Sequence, residues 1–166
     1  MNFKASLLPL VAVIAAALSV PSATAATASG NMVVSITLTN ACTISAANVP
    51  FGSTTSLTSN IDVAANVDVS CTGANPVSIS FDAGTGTGST IASRLMNDGA
   101  NTVAYNLYRE VGRTTVLGTT AGTNTIDFTS TGSGTTDTKQ VYGRVPAQAA
   151  KPNGLYTSTV VATLTY

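Results

Sequence analysis

The chain has 166 residues, only 8% of them charged, with 7 Lys+Arg against 7 Asp+Glu and no His or Trp. Without His there is no Ser–His–Asp or Cys–His nucleophile pair and no imidazole-held metal, and two Cys are too few for a four-thiolate zinc site. Balanced, scattered charge leaves no electrostatic footprint for nucleic acid, and the length fits one domain able to bury a core.

Residues 1–25 read as a secretory signal peptide. Lys4 supplies the positive start, Leu7 to Val20 is apolar apart from Pro9 and Ser19, and Ala23-Thr24-Ala25 is a small-x-small cleavage site. The apolar run is shorter than the roughly 20 residues a membrane-spanning helix needs. Export carries Cys42 and Cys71 into an oxidising compartment, where an even pair reads as one structural disulfide. There is no C-x-x-C spacing or neighbouring base to favour a redox or metal role.

After the small, polar residues 26–31, Met32, Val34, Ile36 and Leu38 alternate with Ser35, Thr37 and Thr39, and only Val33 breaks the period. That alternation predicts a strand with one apolar face. A second strand is expected through Cys42–Ile44, and Ala46 to Ser59 is loop-like, with Pro50 and Gly52. Alternation resumes over Ile61–Cys71 and again from Pro76 to Phe81. Ile91–Met96 and Thr102–Glu110 flank Asn97-Asp98-Gly99, a hairpin signal. Thr114–Leu117 and Thr125–Phe128 are short candidates, Lys139–Val145 is a strand ended by Pro146, and Leu155–Tyr166 is a long terminal strand. Tyr156, Val160, Ala162, Leu164 and Tyr166 share one face of that last strand.

Many short strands, frequent Gly and Pro turns and a bridge between two early strands imply an all-β sandwich. The organisation is a leader at 1–25, a flexible apolar-faced segment at 26–39 and one domain at 40–166. The motifs that invite chemistry are weak. Gly84-Thr85-Gly86-Thr87-Gly88 lacks the Lys of a phosphate loop and has no strand-to-helix context. Asp82, Asp98, Asp127 and Asp137 are dispersed, so no carboxylate pair for glycoside hydrolysis is defined. Arg109, Glu110 and Arg113 read as a solvated strand end, and the five tyrosines as sheet packing rather than a sugar platform. The segment Met32–Leu38 either opens its own sheet or leaves to complete a neighbour's, and pattern alone does not choose between them.

Ala41-Cys42-Thr43-Ile44, Val69-Ser70-Cys71-Thr72, Val103 to Arg109, Val141 to Pro146 and Gly154 to Tyr166 together resemble the Spore Coat Protein U domain family. That family includes the major pilins of archaic, Csu-type chaperone–usher pili. The resemblance implies an immunoglobulin-like sandwich lacking its last strand, a Cys42–Cys71 disulfide and a donor segment at about 27–39. Met32, Val34, Ile36 and Leu38 would plug the neighbouring subunit's groove, and the strand bearing Tyr156, Val160, Ala162, Leu164 and Tyr166 would border it. It implies a structural, non-catalytic fibre subunit that supports adhesion and biofilm formation. Its partners would be further copies of the chain, a periplasmic chaperone and an outer-membrane usher, with no cofactor, nucleic acid or small-molecule substrate. It implies passage through the periplasm to a surface pilus, and the single domain favours a shaft position. A self-complete secreted coat protein of the same fold and a glycan-binding module are the rival expectations.

Overall fold

The computed structural model describes residues 24–166, so the expected leader lies outside it except for its last two residues. The chain divides after Ile36. In the first unit, residues 24–36 form no strand, and Met32, Val34 and Ile36 are each more than 80% exposed. The strand expected over Met32–Thr39 is therefore not formed in the single chain. An apolar-faced segment gains nothing from extended pairing until it has both a partner strand and a surface to cover.

The second unit, Thr37–Tyr166, is all-β, with no helix among its residues. Its strands are β1 (Cys42–Ala46), β2 (Ile61–Cys71), β3 (Pro76–Phe81), β4 (Arg94–Asp98), β5 (Asn101–Tyr108), β6 (Ile126–Thr129), β7 (Thr136–Val145) and β8 (Ala162–Thr165). They form a five-stranded sheet in the order β1-β2-β7-β5-β4 and a three-stranded sheet in the order β6-β3-β8. Every paired strand is antiparallel. This is an immunoglobulin-like sandwich.

Period-2 patterning fixes the core. On β2, Ala65, Val67, Val69 and Cys71 are buried, while Asp62, Ala64 and Asn66 face solvent. Its partner β7 buries Val141 and Val145 and exposes Thr138 and Gln140, in the register Val67 to Lys139 and Ala65 to Val141. Val77, Ile79 and Phe81 close the core from β3. A one-residue slip in any of these strands would turn the whole apolar set to water.

Elsewhere the strands depart from their expected bounds. The β4–β5 hairpin turns at Gly99-Ala100, with Asp98 paired to Asn101. Three further residues join β7 at its start because Thr136, Asp137 and Thr138 find partners in Ser70, Val69 and Asp68. Thr114–Leu117 reduces to one bridge, Tyr108 to Val116. The loop after β1 is part of the core. Val49, Phe51 and Leu57 pack onto it, and the Phe51 ring meets Tyr105 edge-on at 6.2 Å between centroids. Gly143 makes that packing possible, since a Cβ there would lie 2.8 Å from Val49 Cγ1 and 2.9 Å from Phe51 Cζ.

Candidate subunit interface

The arrangement leaves two strand edges open beside each other. β1 pairs only with β2, and β8 pairs only with β3, so each ends its sheet. β1 and β8 nevertheless approach one another in space. An open edge presents unpaired N–H and C=O groups, a template for another strand. Between these two edges lies an open apolar groove with a pocket of about 60 Å³. Ala46, Ala47 and Val49 form its β1 side and Val160 and Ala162 its β8 side, over a floor that includes Val67, Phe81, Leu107 and Val141.

β1 is held by the disulfide between Cys42 and Cys71, whose Cα atoms are paired in register and 4.1 Å apart. A bridge closing a loop of this size stabilises by about 3–4 kcal/mol in the chain-entropy account. Without it, the outermost strand would be held by one ladder alone. On β1, Cys42 and Ile44 turn towards the core, and Thr43 and Ser45 turn away.

The β8 wall is shorter than expected. Only Ala162–Thr165 is strand, and the stretch before it follows backbone partners that change along its length. Thr157 bridges Asn97 of β4, the Thr159 carbonyl accepts from Thr85 N–H at 3.0 Å, and the Val161 carbonyl accepts from Asp82 N–H at 3.2 Å. The segment thus crosses from the edge of one sheet to the edge of the other. Its even-numbered side chains keep one face throughout: Tyr156, Val160, Ala162 and Leu164 are half-buried against the core. Tyr166 lies one residue past β8 and is 58% exposed, lining a surface hollow with Pro76, Val77, Ser78, Asp127 and Phe128 of β3 and β6.

Arg94, which gave no signal in the sequence, underpins this wall. It is fully buried. Its Nη2 donates to the carbonyls of Asp82 (2.6 Å), Leu117 (2.9 Å) and Phe81 (3.2 Å), its Nε donates to the Asp82 carbonyl (2.9 Å), and its Nη1 donates to Asn106 Oδ1 (2.7 Å). No carboxylate pairs with it directly, and burial lowers its pKa. The guanidinium gathers carbonyls from the end of β3 and the Leu117 loop around one cation.

Of the expected solvated end, Arg109 is exposed, whereas Glu110 and Arg113 are held by neighbours. The Glu110 carboxylate accepts from Thr114 N–H (2.8 Å), Thr114 Oγ1 and Thr115 N–H (2.5 Å), and its pKa is lowered, chiefly by the Thr114 hydroxyl. The Arg113 side chain is only 10% exposed, donates to the Gly143 carbonyl and lies 3.4 Å from Asp62. Arg144 grips the same Asp62 through two bonds of 2.7 and 2.8 Å, which holds its carboxyl below its usual pKa. The cluster pins the loop to β2 and β7. The tyrosines make no shared platform: Tyr105 is buried, and Tyr108, Tyr142 and Tyr156 are half-buried.

Residues 28–163 match the Spore Coat Protein U domain family. The chain belongs to that family. A curated relative of this Spore Coat Protein U domain chain is Protein U of Myxococcus xanthus, 39% identical over 83 residues that cover 49% of this chain and 45% of Protein U. Among solved structures, the fold is similar to a chain of the CsuC–CsuE chaperone–tip adhesion subunit pre-assembly complex from the archaic chaperone–usher Csu pili of Acinetobacter baumannii. The TM-score is 0.53 at 16% identity, over 78% of this chain and 40% of that one. The chain thus spans less than half the length of either relative. The family is a structural rather than an enzymatic one. Among the described residues no three His, Cys, Asp or Glu side chains converge as metal ligands.

Proposed function

We propose that this chain is a structural pilin subunit of the chaperone–usher type that polymerises by donor-strand exchange. One observation carries the reading. The same chain has an apolar groove between two open strand edges and a donor segment, residues 27–39, whose alternating apolar side chains from Met32 to Leu38 are exposed. Met32, Val34, Ile36 and Leu38 are 83–87% exposed, and among the described residues β1 and β8 each pair on one side only, flanking the groove.

Inserting that segment into the groove of a second copy satisfies both. Backbone bonds complete the β1 and β8 edges, and alternate side chains enter the groove. Full burial of four such side chains contributes about 6–12 kcal/mol gross, less the cost of ordering the segment. The contact is head-to-tail and does not close on itself, so it builds a fibre. Before assembly the open groove is prone to aggregation, which is the reason for a periplasmic chaperone that lends a strand and an outer-membrane usher that exchanges it. The chain acts outside the cell, in a surface pilus that serves adhesion and biofilm formation, and carries no catalysis. The exposure of Met32 to Leu38 supports this reading over a self-complete coat protein, which would bury them in its own sheet.

The test is a non-reducing SDS gel of protein sheared from cells, unboiled beside boiled. A ladder that collapses to one band on boiling is the expected result. A monomer in both lanes would overturn the reading.

A further inference from the structure

We propose that Asn153 is a site of spontaneous covalent modification, which sets a new carboxylate beside Asp98 and weakens the hold of residues 149–157 on β4. The inference stands whether or not the chain polymerises.

The chain contains one Asn-Gly dipeptide, Asn153-Gly154, and one Asp-Gly dipeptide, Asp98-Gly99. The fold brings the two together. A Cβ on Gly154 would collide with Asp98 Oδ2 and lie 2.8 Å from Asp98 Cγ. Glycine is therefore needed at 154 to leave room for that carboxylate, and it also leaves its own backbone nitrogen unshielded by a side chain.

The segment is fixed at both ends and loosely tied between them. Ala104 N–H of β5 donates to Gln148 Oε1 at 3.1 Å, and Gln148 Nε2 donates to the Ala104 carbonyl at 3.0 Å. At the other end Asn97 and Thr157 exchange N–H to carbonyl bonds of 2.9 and 3.1 Å. Between these anchors, the Tyr156 hydroxyl donates to the Pro152 carbonyl at 2.8 Å. Asn153 and Gly154 are both exposed in a bend, and among the described residues neither the Asn153 carboxamide nor the Gly154 N–H has a hydrogen-bond partner. Other asparagines are occupied: Asn40 Oδ1 accepts from Gly73, Asn97 Oδ1 from Thr87, and Asn106 Oδ1 from Arg94.

The chemistry needs only water. The Gly154 backbone nitrogen attacks Asn153 Cγ, the bond from Cγ to the side-chain nitrogen breaks, and that nitrogen leaves with the Gly154 proton as ammonia. The product is a succinimide. Water then adds to one imide carbonyl to give aspartate, or to the other to give isoaspartate. Either way the segment gains a negative charge next to Asp98, and like charges repel. Asp98 follows Asn97 directly, so the repulsion acts on the Asn97–Thr157 bridge. Thr157 leads into the stretch that walls the groove, so the modification reaches that wall at its root.

The test begins with peptide mass mapping of the exported protein, purified in its native state and held in neutral buffer. Exchange of NH2 for OH is expected to be at least ten-fold faster at Asn153 than at Asn66, which is exposed but laddered in β2 and followed by Val67. Equal rates would overturn the site. Melting reads the consequence. Asn153→Asp should melt about 2–4 °C below the wild type, and Asn153→Gln should melt with it. The deficit of Asn153→Asp should close in about 1 M salt and in an Asp98→Ser background. The salt measurement stands alone if Asp98→Ser is not exported. A deficit that persists in salt, or no deficit at low salt, would overturn the role of the new charge.

Discussion

Asp82 and Val161 exchange two hydrogen bonds: the Asp82 N–H donates to the Val161 carbonyl at 3.2 Å, and the Val161 N–H donates to Asp82 Oδ1 at 3.0 Å. The same carboxylate oxygen accepts from Gly84 N–H at 2.9 Å. One acidic side chain at the end of β3 thus sets where the segment before β8 begins to wall the groove. Asp82→Ala removes the acceptor for two N–H groups and should destabilise by about 2–3 kcal/mol. Asp82→Asn keeps an oxygen in place and should lose about half of that. Thermal unfolding of sheared fibres, read by circular dichroism, checks the order wild type, Asn, Ala. An alanine variant as stable as wild type would remove Asp82 from this role.

Arg94 makes a sharper case because its partners are carbonyls with no substitute donor. Arg94→Met fills the volume but leaves the carbonyls of Phe81, Asp82 and Leu117 without the guanidinium. Unpaired buried acceptors cost about 1–3 kcal/mol each, so the variant should fail to accumulate in the periplasm. Arg94→Lys keeps the charge but not the planar fork and should accumulate weakly. Quantitative blotting of periplasmic extracts reads both. Wild-type levels of Arg94→Met would show that the cation is dispensable.

How much of this was legible in the chain depends on whether side chains or backbone carried the signal. β2 and β3 matched their expected bounds because each buries one face, and Val67, Val69, Ile79 and Phe81 announce it by alternation. The Cys42–Cys71 bridge was legible from cysteine count and export alone. The terminal strand was read too long. Leu155 to Val161 alternates like a strand, but its partners are Asn97, Thr85 and Asp82, a sequence of distant backbone groups that no local pattern encodes. Arg94 carried no local signal for the same reason, since all its acceptors but the Ile91 carbonyl lie 12 to 23 residues away, on β3, β5 and the segments after β3 and before β6. Arg113 looked like a solvated charge because its cover, Asp62 and Gly143, comes from β2 and β7.

Acid should loosen the sandwich in a defined direction. Asp62 is held below its usual pKa first by the Arg144 hydrogen bond, Glu110 by Thr114, Asp127 by Ser78 and Asp137 by Thr131. A carboxylate whose folded pKa is depressed stabilises the fold fully above its unfolded value, and the contribution is lost as pH falls through the folded value. The melting temperature of fibres should therefore be flat from about pH 7 to 5 and fall below about pH 4. Calorimetry across that range measures it. Asp62→Asn should lower the plateau and shallow the acid slope, because one of the four linked protons is gone. A melting temperature that rises on acidification would contradict the sign.

The register of the inserted segment has its own test. If Met32, Val34, Ile36 and Leu38 enter the groove, Ser35 and Thr37 point away from it. A slip by one residue would bury Val33, Ser35 and Thr37 instead, a far more polar set. Ile36→Asp then places a carboxylate in an apolar groove with no partner, a cost large enough to abolish assembly. Ser35→Asp places the same charge one residue earlier, on the opposite face, and should leave the unboiled ladder intact. On the donor-strand reading, both variants should still form a complex with a periplasmic chaperone, because neither changes a residue that lines the groove. Co-purification from periplasm reports that complex, and the sheared-fibre gel reports assembly. A ladder from Ile36→Asp together with its loss in Ser35→Asp would reverse the register, and ladders from both would displace the donor segment from 32–38.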